Sequence, residues 1–322
     1  MGASPDPRLQ PTPDYGNLGP GSDLRSGKPI RPQATRGLTV VAVLAGALLA
    51  LPVLKIGSLQ EWWERAGQFL VALSQQSSRT KSRSSMRRPN VQDQSMQRHA
   101  EASLEAALAH SPDANEHIAE QVDAWRGHIS FTQELGGRIT AALNSDDYRV
   151  RESAIDVDLA AYNVVKTPAS VDNVIRQANS RDHAIRIWAL WTLGLLGNRG
   201  IETDRALETL IAHLHDSDAD SRRWAVEGLA LVGTDATIEP LLKTFRDDPS
   251  PIVRERAACS LAQSGMLRPE QRRTTIPSML AYAEDPSLDS ATRAWAFHAL
   301  RDITRQSFPD NASVWRDWYS HQ

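Results

Sequence analysis

Cysteine is almost absent from this chain of 322 residues, because Cys259 is the only one. A disulfide needs two cysteines, so an internal disulfide framework is excluded. Catalytic signatures are missing as well, since the sequence contains neither a glycine-rich phosphate loop after a strand pattern nor a nucleophile elbow. Polar and apolar residues do not alternate as they do in β-strands. The sequence therefore predicts an all-α protein without a recognisable catalytic site.

Positive charge is scarce in the larger part of the chain. Residues 99–322 hold 23 Lys and Arg against 33 Asp and Glu, a net charge of −10. Such a surface repels a phosphate backbone, so we predict no nucleic-acid partner. The histidines do not form a metal-site pattern, because His213 and His215 are two residues apart and would point to different sides of a helix. We also predict no metal and no cofactor.

The start of the chain has a different composition. Residues 1–36 hold seven Pro and five Gly with few large apolar side chains, which predicts a disordered tail. Residues 37–57 contain the uncharged run Leu38–Leu54, which as a helix would reach about 25 Å, close to the hydrocarbon thickness of a bilayer. We predict a single transmembrane helix here. A buried core helix and a cleaved signal peptide are the alternatives.

The flanking charges predict the orientation of this segment. Four basic residues precede the run, whereas Lys55 and Arg65 after it are balanced by Glu61 and Glu64. Positive residues favour the cytoplasmic side, so we expect a single-pass protein of the cell membrane with its N-terminus in the cytoplasm and its C-terminal part outside. The alternative is a cytoplasmic C-terminal part that is tethered to the inner leaflet.

Three segments follow before the repeated part of the chain. Residues 58–75 place Leu, Trp and Phe at helical spacing and predict an amphipathic helix beside the membrane. Residues 76–98 predict a flexible basic linker that contains Arg79, Lys81, Arg83, Arg87 and Arg88. These basic side chains would either contact anionic lipid head groups or remain solvated. Residues 99–145 predict an N-terminal helical cap, or alternatively an extra repeat pair.

One helix pattern recurs through residues 146–304. Each copy has a capping Asp or Ser, then Arg four residues later, Ala three after that and Leu four after that. Complete copies begin at Asp182, Asp218, Ser250 and Asp289. A partial copy begins at Asp147 and has Asp158 in the place of Leu. The capping residue begins a helix, Ala allows close helix approach and Leu extends the apolar face, so the period predicts an α-solenoid of helix pairs.

These residues resemble the HEAT repeats of bacterial proteins, with residues 216–248 as the clearest copy. The resemblance covers about half of the chain, and residues 305–322, with Trp315, Trp318 and Tyr319, look like the closing segment of such proteins. It implies about five helix pairs that act as a protein-binding scaffold. HEAT-like repeats also build bilin lyases and a di-iron hydroxylase. The hydroxylase uses His-Glu pairs, which this sequence lacks, and a lyase-like enzyme stays the alternative.

The repeated arginine is one candidate functional column. Its members are Arg151, Arg186, Arg222, Arg254 and Arg293. They would line a groove for an acidic partner, or they would pair with the capping residue four positions earlier or with the adjacent repeat. We predict the structural role.

A second column lies two residues after each arginine. It contains Trp188, Trp224, Arg256 and Trp295, with Trp191 close to its first member. An exposed stripe of Trp and Arg would be a protein-binding surface, because both residues are favoured at interfaces. The alternative is packing between neighbouring first helices. From the repeats and the lack of catalytic residues we predict a binding scaffold rather than an enzyme.

Overall fold

The computed structural model describes residues 91–322, whose regular secondary structure is helical throughout. The predicted tail, the transmembrane segment 37–57 and the amphipathic segment 58–75 lie outside the described residues. None of the described helices combines the length and apolarity that crossing a membrane requires.

Fourteen α-helices and one short 3-10 helix (Asp235–Thr237) make up the described part of the chain. The α-helices are α1 (Val91–Leu108), α2 (Ala114–Trp125), α3 (Gln133–Leu143), α4 (Tyr148–Ala161), α5 (Pro168–Ala178), α6 (His183–Asn198), α7 (Thr203–His213), α8 (Ala219–Val232), α9 (Ile238–Asp247), α10 (Pro251–Ala262), α11 (Pro269–Arg273), α12 (Ile276–Glu284), α13 (Ser290–Thr304) and α14 (Ala312–Ser320).

Helix α1 begins earlier than the sequence suggested. Residues 91–98, which we expected in the flexible linker, are helical. The side chain of Gln97 explains this, because it donates to Glu101 over 2.8 Å and accepts the backbone N–H of Ser130 over 2.9 Å. These bonds tie the first turns of α1 to the loop before α3.

The capping residues begin the repeated helices as predicted. The carboxylates of Asp147, Asp182, Asp218 and Asp289 each accept a backbone N–H in the first turn of the following helix. Ser250 makes no such bond, and Pro251 follows it at the first helical position, where a missing N–H costs least. Each capping residue follows a short turn, so consecutive helices pack as hairpins, such as α5 with α6 and α9 with α10.

The first helices of the four complete copies stack in the order α6, α8, α10 and α13. Their repeated alanines are Ala189, Ala225, Ala257 and Ala296, and all four are 0% exposed, which confirms that they face the core. Helices α6 and α8 approach most closely at Gly194 and Gly228, where a Cβ added to Gly194 would lie 2.6 Å from the carbonyl oxygen of Gly228. Only residues without a side chain permit this contact.

The partial copy does not continue this stack. Helices α1, α2 and α3 pack on α4, and α4 contacts the stack through side chains near both of its ends. The hydroxyl of Tyr148 donates to the carbonyl of Leu267 over 2.6 Å, after α10, whereas Asp158 bonds to α6. Helix α4 therefore reaches α6 and the segment after α10, instead of adding one more layer beside α6.

The C-terminal segment covers the last layer mainly through one tryptophan. Trp315 is fully buried, and its indole N–H donates to the carbonyl of Pro309 over 2.9 Å. Its ring packs against Phe308 and Trp318, with centroids 5.1 and 6.1 Å away. Tyr319, which we expected to help cover this end, is 39% exposed.

Candidate partner surface on the first helices

The arginine column ties neighbouring copies together. Each guanidinium donates to the carbonyl six residues earlier, at 2.9 Å for Arg186 and Arg222 and 2.7 Å for Arg254. Each also reaches the start of the next copy, where Arg186 bonds to Ser221 over 2.7 Å and Arg254 bonds to Asp289 over 2.8 Å. In these three the guanidinium bonds to the adjacent copy and not to the carboxylate of the residue's own cap, an arrangement that fits the predicted structural role.

Arg222 makes the most enclosed of these contacts. Its Nε and Nη2 atoms donate to the two carboxylate oxygens of Asp248 over 2.8 and 3.0 Å. The side chains of Arg222 and Asp248 are only 9% and 3% exposed. The bidentate bond holds the pKa of Arg222 above its ordinary value. This arginine is not available to an acidic partner.

Arg151 uses the same column position for a different purpose. It donates to the carbonyl of Ser145 over 2.5 Å and also to the carbonyls of Gln263 and Gly265, which follow α10. Buried Arg272 donates to two further carbonyls near that end, those of Ser260 and Ser264, each over 3.0 Å. Two guanidinium groups thus satisfy the carbonyls at the C-terminal end of α10, where positive charge is favoured.

Tryptophans at the start of the second column pack against other parts of the chain. Trp191 and Trp224 are 2% and 1% exposed and pack edge to face, with ring centroids 5.9 Å apart. Trp188 is partly exposed, and its ring lies 5.9 Å from that of Tyr162 just after α4. For Trp191 and Trp224 the structure contradicts the exposed stripe and fits the alternative, which is packing between neighbouring first helices.

An acid lies at the centre of this covered region. Asp158 is 0% exposed, and its Oδ2 atom accepts the indole N–H of Trp191 over 2.9 Å. Its Oδ1 atom and the buried hydroxyl of Tyr162 have no hydrogen-bond partner among the described residues. Burial raises the pKa of Asp158 to about 7, and the bond from Trp191 opposes this only in part. The sequence marked this position only as a departure from Leu.

Charged pairs surround the buried contact. Arg199, at the end of α6, lies 3.4 Å from a carboxylate oxygen of Asp156, which also accepts from Lys166 over 3.0 Å. Glu152, one turn earlier on α4, accepts from Arg268 over 3.0 Å. The contact between α4 and the stack therefore has a buried centre, where Asp158 meets Trp191, and an ionic rim.

The far end of the column, on α10 and α13, is more open. We call this surface the open end and define it by Glu255, Arg256, Cys259, Trp295, His298 and Asp302. His298 is exposed and the other five are partly exposed. Arg256 donates to Glu227 of α8 over 2.6 Å, so neighbouring copies are hydrogen-bonded to each other here as well.

Burial shifts the titration of several groups at the open end. It raises the pKa of Glu255 and Asp302 and lowers the pKa of His298. It also raises the pKa of the Cys259 thiol to about 12. Clusters of perturbed groups often mark functional sites, although a thiol that stays protonated is a poor nucleophile. The open end is thus better suited to contact than to covalent chemistry.

The described residues contain no group of three metal-ligating side chains. His99 and His117 come closest to such a site, because their Nε2 atoms lie 2.9 Å apart. A single N–H···N hydrogen bond between the two rings accounts for that distance. His213 lies 3.5 Å from Asp216, at the turn before α8.

Comparison with known proteins identifies the repeated helices. A family model described as HEAT repeats matches residues 137–230 and residues 172–262, from α3 to the end of α10. This part of the chain is a HEAT-repeat domain. The matched residues include α4, whose packing departs from that of the later copies. They also include Trp188, Trp191, Trp224 and Arg256 of the second column, which we call the Trp column.

Other comparisons add little to the HEAT-repeat match. None of the curated proteins that were compared matches the chain. One solved structure, described as the crystal structure of an engineered protein, aligns with a TM-score of 0.34 and 18% sequence identity. That alignment covers 64% of this chain and 97% of the other. Such a likeness is too weak to carry an argument about fold or function.

Proposed function

We propose that this protein is a membrane-anchored scaffold whose HEAT-repeat domain binds another protein and catalyses no reaction. One observation carries the proposal: the Trp column ends in a partly exposed surface on α10 and α13. Trp295 there is a residue of a type that dominates binding energy at protein interfaces. Stacked repeats supply the rigid support that such a surface needs.

The partner surface in this proposal is the open end. Trp295 offers a large flat ring, and Glu255, His298 and Asp302 offer groups that hydrogen-bond or pair with charge. Trp188, Trp191 and Trp224 extend the same column but lie against or near the chain's own helices. A partner with an apolar centre and a polar rim fits this combination of residues.

A photo-crosslinking experiment tests the surface. A crosslinking amino acid replaces exposed His298 in the full chain within its native membrane, and a matched variant carries it at exposed Lys243 on α9. We expect one discrete crosslinked protein at position 298 that is absent at position 243. The same products at both positions, or none at position 298, would contradict the proposal.

Membrane attachment is the second part of the proposal. Residues 37–57 supply the anchor, with the N-terminus in the cytoplasm and the HEAT-repeat domain outside it. The uncharged run and the four basic residues before it support this orientation. A C-terminal reporter that is active only outside the cytoplasm should be active. Activity of a cytoplasm-specific reporter at the same position would instead favour tethering to the inner leaflet.

The absence of catalysis is also part of the proposal and has its own test. A lyase-like enzyme that handles a chromophore would hold it during purification. We therefore expect purified full-length protein to show no absorbance in the visible range. A visible band that survives gel filtration would favour the lyase-like alternative.

A further inference from the structure

Helix α4 lies over Trp191, and Tyr162 just after it packs on Trp188. We call α4 the cover. Every residue from Ser153 to Ala161 is buried, so this helix is enclosed on all sides. On one side it packs against α2, where Ser153 donates to Asn115 over 2.8 Å. On another side its Asp158 bonds to Trp191 of α6. The cover is held by its own helix group and by the stack together.

The centre of this contact is unusual because it is acidic. In each complete copy the position equivalent to Asp158 is a leucine, and all four leucines are 0% exposed: Leu193, Leu229, Leu261 and Leu300. A buried carboxylate with one hydrogen bond is costly, whereas the neutral acid loses far less on burial. The closed contact therefore favours a proton on Asp158.

We propose that Asp158 makes the cover proton-dependent: the protonated acid closes α4 onto Trp191, and loss of the proton weakens the contact and frees the covered tryptophans. Opening would uncover Trp191, which bonds to Asp158, and Trp188, which packs on Tyr162 just after α4. The partner-binding consequence rests on the proposed function, but the opening itself does not.

The direction of the pH effect follows from the two states. In the closed state burial raises the pKa of Asp158 to about 7, whereas in the open state a solvated aspartate has its ordinary pKa near 4. Opening therefore releases a proton between these two values. The opening equilibrium rises about tenfold per pH unit from about pH 4 to about pH 7, and then stops rising because both states are ionised.

Other charged groups around the cover have partners of their own. These ion pairs join Glu152 to Arg268, Asp156 to Lys166 and Arg199, Glu105 of α1 to Arg138 of α3, Asp123 of α2 to Arg126, and His110 to Asp147 at the start of α4. Glu101 of α1 accepts from Gln97. The buried hydroxyl of Tyr162 is the remaining titratable neighbour, and burial followed by the charge of Asp158 raises its pKa.

Hydrogen exchange on the full chain in its membrane or in detergent tests the cover. Exchange of the α4 amides is measured at pH 5, 6, 7 and 8 and corrected for the intrinsic pH dependence of exchange. We expect protection of α4 to fall about hundredfold between pH 5 and pH 7 and to stay level from pH 7 to pH 8. Protection of α13, which lies beyond the cover, should not follow this profile.

Two variants separate Asp158 from the nearby histidines. Asp158→Asn keeps an oxygen for the Trp191 N–H but binds no proton, so its α4 protection should be independent of pH. Asp158→Leu installs the residue of the complete copies and should behave in the same way if the amide variant folds poorly. A wild-type pH profile retained in both variants would overturn the proposal, as would equal loss of protection in every helix.

The hydrogen-exchange experiment is carried out without a binding partner. A flat exchange profile in the wild-type protein would therefore defeat the cover and leave the crosslink at position 298 as a separate question. Conversely, loss of that crosslink would defeat the proposed function, whereas pH-dependent exchange of α4 would still stand.

Discussion

The partial copy on α4 and the complete copy on α6 share a cap, an arginine and an alanine, yet they pack in different ways. Arg186 of α6 bonds to Ser221 in the adjacent copy, whereas Arg151 of α4 bonds to carbonyls more than a hundred residues ahead, after α10. Both arginines also bond to the carbonyl six residues earlier, so the position in the column determines this local hydrogen bond. The position in the column does not determine which distant segment the guanidinium contacts.

The residue that separates the two copies is Asp158. Leu193 at the equivalent position of α6 is apolar and lies in the core of the stack. An acid at that position cannot extend an apolar face without a partner for its oxygens, and the indole N–H of Trp191 supplies one. At this position α4 therefore meets α6 through a polar contact, whereas the complete copies place an apolar side chain in the core of the stack.

The largest expected effect comes from the arginine column inside the stack. Arg222→Ala leaves the carboxylate of Asp248 buried without its bidentate partner, and we expect a loss of about 3–5 kcal/mol in the free energy of unfolding. Arg293→Ala is the matched control, because no further copy of the repeat follows it. Urea denaturation measures both, and equal losses would contradict the assignment of Arg222 to contact between copies.

Asp158 should make the free energy of unfolding depend on pH. Burial raises the pKa of Asp158 to about 7, so ionisation of Asp158 destabilises the folded state as the pH rises from about 4 to 7. Asp158→Leu removes this destabilisation. We expect the gain in the free energy of unfolding to be about 2–3 kcal/mol larger at pH 8 than at pH 5. Leu193→Met, in a complete copy, serves as the control and should change stability equally at both pH values.

Close packing between copies is tested at the glycine pair. A methyl group added by Gly228→Ala would lie 2.6 Å from the carbonyl oxygen of Leu190, and the backbone cannot yield easily. We expect a loss of about 1–2 kcal/mol by thermal or urea denaturation. Gly137→Ala in α3 meets no atom within 4 Å and should stabilise the helix by about 0.5–1 kcal/mol. A loss in both variants would contradict the assignment of the Gly228 effect to the contact with α6.

Much of the stack could be predicted because its rules are local. Caps such as Asp218 and the inward face of Ala225 follow from helix geometry and periodicity, and both occur as expected. The HEAT-like resemblance then implied how such helices stack. The structural role predicted for the Arg column fits the contacts between copies that Arg186, Arg222 and Arg254 make.

The cover could not be predicted from the same rules. The bonds from Tyr148 to Leu267 and from Arg151 to Gln263 join segments more than a hundred residues apart, and periodicity carries no information on such distant pairs. Trp224 was therefore expected to face outward or toward a neighbouring copy. In the structure Trp224 is buried against Trp191 of the neighbouring first helix, whereas Trp191 also bonds to Asp158 of α4, a tertiary contact that the helix pattern does not specify.

The smallest effect concerns how the last copy ends. Helix α8 ends at Gly233 with φ near 63°, whereas α13 ends at Arg305 with φ near 61°, a left-handed conformation that favours glycine. Arg305→Gly should raise the free energy of unfolding by about 0.5–1 kcal/mol, measured by urea denaturation. Arg305→Ala removes the same side chain but keeps the backbone strain, so it should give little or no gain. If both variants stabilise the protein equally, the arginine side chain rather than the backbone at this turn is responsible.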